Sequence, residues 1–101
     1  MKQEDINLLK QLGLTTYEAK AYITLSSLIQ ATADEISEKS DIPRSKIYDV
    51  LKRLNSKDYI KIESGRPLTY HVNPPINVLK REKEKFIRRI NKTGENLNTL
   101  Y

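Results

Sequence analysis

Residues 32–54 read TADEISEKSDIPRSKIYDVLKRL. Thr32 and Glu35 have the spacing of a capping box, in which each side chain satisfies a backbone N–H left unpaired at a helix start. They predict a helix of about seven residues containing Ile36. Ser40, Asp41 and Ile42 turn a corner, with Ile42 folding inward as its apolar plug. Pro43 suits the first position of a second helix, where its missing N–H costs nothing. From there Ile47, Val50, Leu51 and Leu54 fall at i, i+3, i+4 and i+7, a single apolar stripe. At about 100° per residue, Ser45, Asp49 and Lys52 point away from that stripe, with Lys46, Tyr48 and Arg53 beside them and Arg44 at the leading end. Two short helices, a tight corner and a second helix with one apolar and one mostly basic side are the layout of a helix-turn-helix.

Downstream, residues 55–58 read as the helix exit, with Asp58 able to accept a left-handed backbone. Ile60 and Ile62 then alternate with Lys61 and Glu63, and Leu68, Tyr70 and Val72 with Thr69 and His71. Two runs of period two around Ser64, Gly65, Arg66 and Pro67 predict a β-hairpin. Pro67 points to an edge position. A hairpin directly after the second helix is a wing, with Arg66 at its tip. Upstream, Ile6, Leu8, Leu9 and Leu12 mark a short helix stopped by Gly13. Thr15 and Glu18 form another capping box, opening a core helix that carries Ala21, Tyr22, Leu25, Leu28 and Ile29 on one face.

Pro74 and Pro75 end this unit, and a long polar-rich helix follows. Ile76, Leu79, Lys83, Phe86, Ile90, Thr93, Leu97 and Leu100 recur at alternating intervals of three and four, a heptad seam weakened by Lys83 and Thr93. Gly94 costs the helix about 1 kcal/mol relative to alanine. Nothing in the first 72 residues looks free to receive this stripe, so a coiled coil with a second copy is the expectation. The chain then divides into a winged helix-turn-helix over residues 1–74 and a dimerisation helix over residues 75–101. The fold class is α+β, mainly α.

The net charge of +5 is unevenly spread. Residues 1–42 hold four Lys/Arg against seven Asp/Glu, whereas residues 43–72 and 73–101 each hold seven against three. Basicity begins at Arg44, inside the second helix of the motif, and argues for a polyanionic partner. Without a signal-like run or a stretch of 18 apolar residues, a cytoplasmic chain with no membrane partner is expected. The absence of cysteine excludes a disulfide framework and a thiolate metal site. One histidine, His71, placed outward on a strand, gives no Ser–His or Cys–His pairing and no metal cluster. The three glycines form no phosphate-cradling motif. No enzyme, cofactor or small-molecule effector is expected.

Double-stranded DNA is the expected partner. Arg44 and Lys46 would enter the major groove first, where such side chains pair with guanine O6 and N7. Ser45 would meet a base edge or phosphate, Lys52 and Arg53 phosphates, and Tyr48 a phosphate or sugar. Asp49, at the centre of this face, is repelled by DNA unless it accepts from a cytosine amino group or pairs with Arg53 or Lys52. Arg66 at the wing tip suits the minor groove or the backbone. A protein-binding adaptor and a sequence-neutral architectural DNA-binding protein are the competing readings. Tyr22 and Tyr70 fall on core stripes, which argues against a stacking platform for single strands.

Three segments carry a family resemblance: LGLTTYEAKAYITL at 12–25, IPRSKIYDVLKRL at 42–54 and GRPLTYHVNPP at 65–75. Together, across roughly residues 5–76, they resemble the DNA-binding domain of the TrmB family, winged helix-turn-helix transcriptional regulators found mainly in archaea. The resemblance implies a homodimer, DNA contacts from the proline-led helix and a wing around the Gly65–Arg66–Pro67 turn. Larger members continue into a sugar-sensing domain, so effector control is not carried over to this chain. Asp58 stands where the family often has glycine, and Thr69 where a basic residue would strengthen the wing. Dimerisation is assigned to Ile76, Leu79, Lys83, Phe86, Ile90, Leu97 and Leu100.

Overall fold

The computed structural model describes residues 1–101. Helices α1 (Gln3–Gln11) and α2 (Thr16–Leu28) are followed by strand β1 (Gln30–Ala31), then by α3 (Ala33–Ser40) and α4 (Arg44–Ser56). Strands β2 (Ile60–Glu63) and β3 (Thr69–Val72) form the wing, and α5 (Pro75–Leu100) ends the chain.

Both capping boxes form. The Thr15 hydroxyl accepts from the Glu18 N–H at 3.1 Å while the Glu18 carboxylate accepts from the Thr15 N–H at 2.8 Å. Thr32 and Glu35 exchange the same pair of bonds at 3.3 and 3.0 Å. Asp41 takes the left-handed conformation at the end of α3, with φ 58° and ψ 39°. That conformation turns Ile42 into the core, where it is buried. The Ser37 hydroxyl donates to the Ile42 carbonyl, pinning the corner. Pro43 sits one position earlier than expected: with ψ 140° it remains extended as the N-cap, and Arg44 is the first helical residue. The Pro43 carbonyl accepts from the N–H groups of Lys46 and Ile47. Asp58 is left-handed as expected, with φ 61°.

The core gathers Ile6 and Leu9 of α1, Ala19, Ala21, Tyr22 and Leu25 of α2, Ile36 of α3, and all four stripe residues of α4. One expected member is absent. Ile29 is 68% exposed, because α2 ends at Leu28 and Ile29 turns out at φ 72°, ψ −53°.

The hairpin pairs Ile60 with Val72 and Ile62 with Tyr70, and β1 adds a third antiparallel strand through Gln30–His71 and Ala31–Tyr70. The order is β1-β3-β2, so β3 is central, and Pro67 lies in the loop before it instead of on an edge strand. At two residues β1 is too short to show a period. Ile60 and Tyr70 of the wing are buried in the core and Val72 packs against it, whereas Ile62 and Leu68 lie toward the exposed tip.

The expectation that nothing receives the last helix is overturned at its first turns. Val78, off the heptad seam, is 1% exposed and belongs to the core. Arg81 donates to the Asp58 and Lys57 carbonyls at 3.2 and 3.1 Å and lies 5.8 Å over the ring of Tyr59. Tyr59 is buried edge-on against Tyr22, with centroids 5.1 Å apart. Burial pushes both phenols up to about 12. Beyond these turns α5 projects away from the body and gives the molecule its 57 Å long dimension.

Candidate nucleic-acid interface

Helix α4 has two unlike faces. Ile47, Val50, Leu51 and Leu54 are buried, whereas Arg44, Ser45, Lys46, Tyr48, Asp49, Lys52 and Arg53 are all exposed. Position three or four residues apart on a helix decides membership of each face, so burial of the inner stripe fixes where the outer residues point. The corner at Asp41 and Ile42 sets the angle of α4 against α3, and packing on α2 holds α4 in place.

Two ion pairs organise the outer face. Arg53 Nε lies 3.1 Å from Asp49 Oδ2, one helical turn away. Of the alternatives open to Asp49, the one realised is the partnership with Arg53, which offsets its charge at the centre of a basic surface. Arg44 Nη2 lies 2.6 Å from Asp34 Oδ2, in the first turn of α3. The hydrogen bond that Arg44 donates to Asp34, and then the charge of Asp34, hold the Arg44 guanidinium above its ordinary pKa. Asp34, acidic in the first turn of α3, is accounted for in the sequence by the helix dipole alone. Its acidic position in a first turn gave no sign of a partner ten residues on. Lys46 and Lys52 form no ion pair.

The wing stands beside this face. Tyr48 of α4, Asp34 of α3, and Pro67 and Leu68 of the wing line one concavity of about 310 Å³. Arg66 is exposed at the tip. A Cβ at Gly65 would lie 3.1 Å from the Pro67 carbonyl oxygen, a crowded contact that favours glycine at this tip. His71 lies across the strand pair from Lys61, with its Nε2 against the Glu63 carboxylate. Its partner is therefore a wing carboxylate.

Of the seam residues on α5, Leu79, Lys83 and Phe86 line an open groove of about 330 Å³ with Leu8, Gln11 and Leu12. Phe86, Ile90, Thr93 and Leu97 line a shallower surface farther out. Ile76 and Leu100 are almost fully exposed. Leu8 and Leu12 of α1 were not assigned to this surface from the sequence, where they mark only the apolar positions of a short helix. No group of three or more His, Cys, Asp or Glu side chains is arranged to hold a metal ion, and no helix is long and apolar enough to cross a membrane.

Comparison with known proteins agrees with this architecture. The family described as "Sugar-specific transcriptional regulator TrmB" matches residues 9–76. The HTH-type sugar sensing transcriptional regulator TrmBL1 of Pyrococcus furiosus is 37% identical over 102 residues, covering 100% of this chain and 30% of that protein. The DNA-binding HTH-type transcriptional repressor TrmBL2 of Thermococcus kodakarensis is 30% identical over 91 residues, covering 89% of this chain and 34% of its own length. Among solved structures, TrmBL2, an archaeal chromatin protein with a novel mode of DNA binding, superposes with a TM-score of 0.84 at 28% identity. That match covers 98% of this chain and 40% of the other. A MarR-family regulator from Silicibacter pomeroyi, at 16% identity and a TM-score of 0.64, shares the fold, with 92% of this chain and 80% of that one covered. This chain therefore spans roughly a third of the length of the two regulators. With its capped helix-turn-helix, its wing within a three-stranded sheet and a match from residue 9 to residue 76, the chain belongs to the TrmB family.

Proposed function

We propose that this chain is a double-stranded DNA-binding transcriptional regulator that acts as a homodimer and reads sequence with α4. The observation that carries this reading is the division of α4: every apolar stripe residue is inside, and every polar residue of the opposite face is exposed beside a wing tipped by Arg66. A helix so presented fits the major groove, whose base edges distinguish all four pairs. Arg44 and Lys46 lead into the groove, with Ser45 beside them. Lys52 and Arg53 take phosphates, and Arg66 takes the minor groove or the backbone. Tyr48 contacts phosphate or sugar, and Asp49 orients Arg53.

Dimerisation is assigned to the seam from Ile76 to Leu100. At 1.5 Å per residue, α5 spans about 39 Å, comparable to the ~34 Å between successive major grooves on one DNA face. A pseudo-palindromic site is the natural target. The regulatory outcome is a change in transcription by occupancy of that site.

A second reading is favoured by one specific observation. Two of the four basic residues on the outer face of α4, Arg44 and Arg53, are held by carboxylates. Fewer free side chains for bases suit a sequence-neutral architectural binder, and the structurally similar TrmBL2 is a chromatin protein.

Selection from a random duplex library at roughly physiological salt, followed by sequencing, separates these readings. A palindromic motif is expected for the regulator, and enrichment without a motif for the architectural protein. No enrichment would instead favour a protein-binding adaptor. Affinity should fall by roughly 10³–10⁵ between about 50 and 200 mM salt if a dimer makes six to ten phosphate contacts. A flat salt response would sink both DNA readings.

A further inference from the structure

Each protomer carries two unfilled halves of one surface. Near the body, α1 and α5 form the groove lined by Leu8, Leu12, Leu79 and Phe86. Toward its end, α5 is a bare helix that exposes Leu97 and Leu100 and packs on nothing. We propose that a second copy fills the groove with this bare tail, so that the two α5 helices run antiparallel. The inference rests on the homodimer proposed above and specifies its geometry.

Charge separates the two orientations. Residues 75–92 hold seven Lys/Arg and two Asp/Glu, whereas residues 93–101 hold no Lys/Arg and one Glu. A parallel pair lays the basic halves side by side. An antiparallel pair sets each basic half against a nearly neutral tail. A parallel homodimer closed by a two-fold axis must also be in register, because the same patch meets itself. Lys83 would then face Lys83 of the second copy inside the seam, where like charges repel in a lowered dielectric. Turning one helix round removes that meeting.

The antiparallel register that lays the nearly neutral tail, residues 93–100, along the basic stretch 83–90 pairs Phe86 with Leu97, Ile90 with Thr93, and Lys83 with Leu100. Each pair occurs twice, once from each copy. Leu97 and Leu100 then enter the groove beside Leu12, at the edge of the core, and Leu8, which α1 leaves exposed. Ile87, exposed just off the seam, comes over Gly94 of the second copy, where a Cβ would meet nothing within 4 Å. The two-fold axis crosses α5 near Asn91 and Lys92, leaving the two bodies at opposite ends of the paired helices.

The chain has no native cysteine, so disulfide trapping tests this directly. Phe86→Cys and Leu97→Cys are placed on separate chains, mildly oxidised alone and as a refolded mixture, and resolved on a non-reducing gel. Only the mixture should give a covalent dimer. Ile90→Cys mixed with Thr93→Cys repeats the test at a second layer, and thermal melting confirms that each variant is folded. Self-linking of Phe86→Cys alone would establish a parallel pair and overturn the proposal. So would a chain that sediments as a dimer yet gives no covalent product from either mixture. Sedimentation of the unmodified chain as a monomer would overturn the homodimer itself, an outcome distinct from a dimer of the other orientation.

Discussion

Ile47, Val50, Leu51 and Leu54 of α4 and Phe86, Ile90 and Leu97 of α5 recur at the same helical intervals, yet the α4 residues are at most 6% exposed and the α5 residues at least 51%. Both stripes mark a face that water disfavours. In α4 the cover comes from α2, which lies close in sequence and is linked through the short α3. In α5, Phe86 borders the open groove beside α1, and the surface of Ile90 and Leu97 is lined by α5 alone. Period alone therefore says that a face must be covered, and chain length and connectivity say by what. A second contrast sits beside it. The exposed face of α4 is charged and suits a polyanion, whereas the exposed face of α5 is apolar and suits protein.

The sharpest way to break the first contrast is to cut one residue from each stripe. Leu51 is fully buried, so Leu51→Ala removes packing on all sides and should lower the unfolding free energy by about 2–5 kcal/mol. Phe86→Glu should leave the urea midpoint of the dilute chain almost unchanged while converting a sedimenting dimer to a monomer. If Phe86→Glu unfolded the protomer as Leu51→Ala does, the two stripes would not differ in kind.

The second contrast predicts separable effects on DNA and on assembly. Arg44→Ala should lose about 1–3 kcal/mol of discrimination at one base pair. Lys52→Ala should weaken all duplexes alike and reduce the salt slope by about one per protomer, hence by about two for the dimer. Neither should alter sedimentation. Asp34→Asn frees Arg44 from its partner and removes a negative charge near the phosphates, so binding to every duplex should tighten several-fold. Competition titrations against duplexes that differ at single positions read all three. Equal loss of discrimination from Arg44→Ala and Lys52→Ala would contradict the division of roles along α4.

A smaller effect belongs to the join between α2 and α4. Lys57 Nζ lies 2.9 and 3.1 Å from the two carboxylate oxygens of Glu18, a side chain 1% exposed, and 3.2 Å from the Gly13 carbonyl. Burial acts to raise the Glu18 pKa. Hydrogen bonds from the Thr15 N–H and from Lys57 outweigh it and hold the carboxyl below its ordinary value. A carboxyl depressed in the folded state releases its proton more readily there than in the unfolded chain. Its contribution is therefore present above the ordinary value of 4.5 and is lost as pH falls through the folded value. Lys57→Met should cost about 1.5 kcal/mol near neutrality, at the low end for a charged hydrogen bond because Lys57 is partly exposed. Glu18→Gln should flatten the acid limb of a urea-midpoint curve taken from about pH 6 down to about pH 3. An unchanged acid limb would assign acid sensitivity to other carboxylates.

What could be read in the sequence follows from how local each cause is. Capping boxes, the left-handed Asp41 and Asp58, the α4 stripe and the hairpin all depend on residues within a few positions of one another. The features that escaped depend on distant partners. Tyr59 is buried because Tyr22 and Arg81 meet it, and Val78 because the body offers a place off the heptad seam. Strand β1 exists because β3 offers it an edge. The outward face of α4 was legible, since burying the inner stripe leaves only one way for it to point. The pairing of Arg44 with Asp34 was not, since it depends on the angle between α3 and α4. Leu8 and Leu12 were placed on the α1 stripe without a partner for the same reason: a stripe names a face without naming its neighbour.

Ile29 gives the smallest expected effect. A helical period carried one residue too far put it in the core, but the chain must leave α2 there to let its carbonyl accept from the Val72 N–H at 2.9 Å. The turn demands φ 72°, a region that β-branched side chains rarely adopt, and the side chain is 68% exposed and so gains little from packing. A positive φ of this kind costs an L-residue about 1–2 kcal/mol. Glycine relieves that strain and gives back roughly half through its greater freedom in the unfolded chain. Ile29→Gly should therefore stabilise the protomer by about 0.5–1 kcal/mol, read as a higher urea midpoint with an unchanged slope. A lower midpoint would mean that Ile29 is held by contacts of its side chain, and that the α2 stripe ends one residue later than its burial indicates.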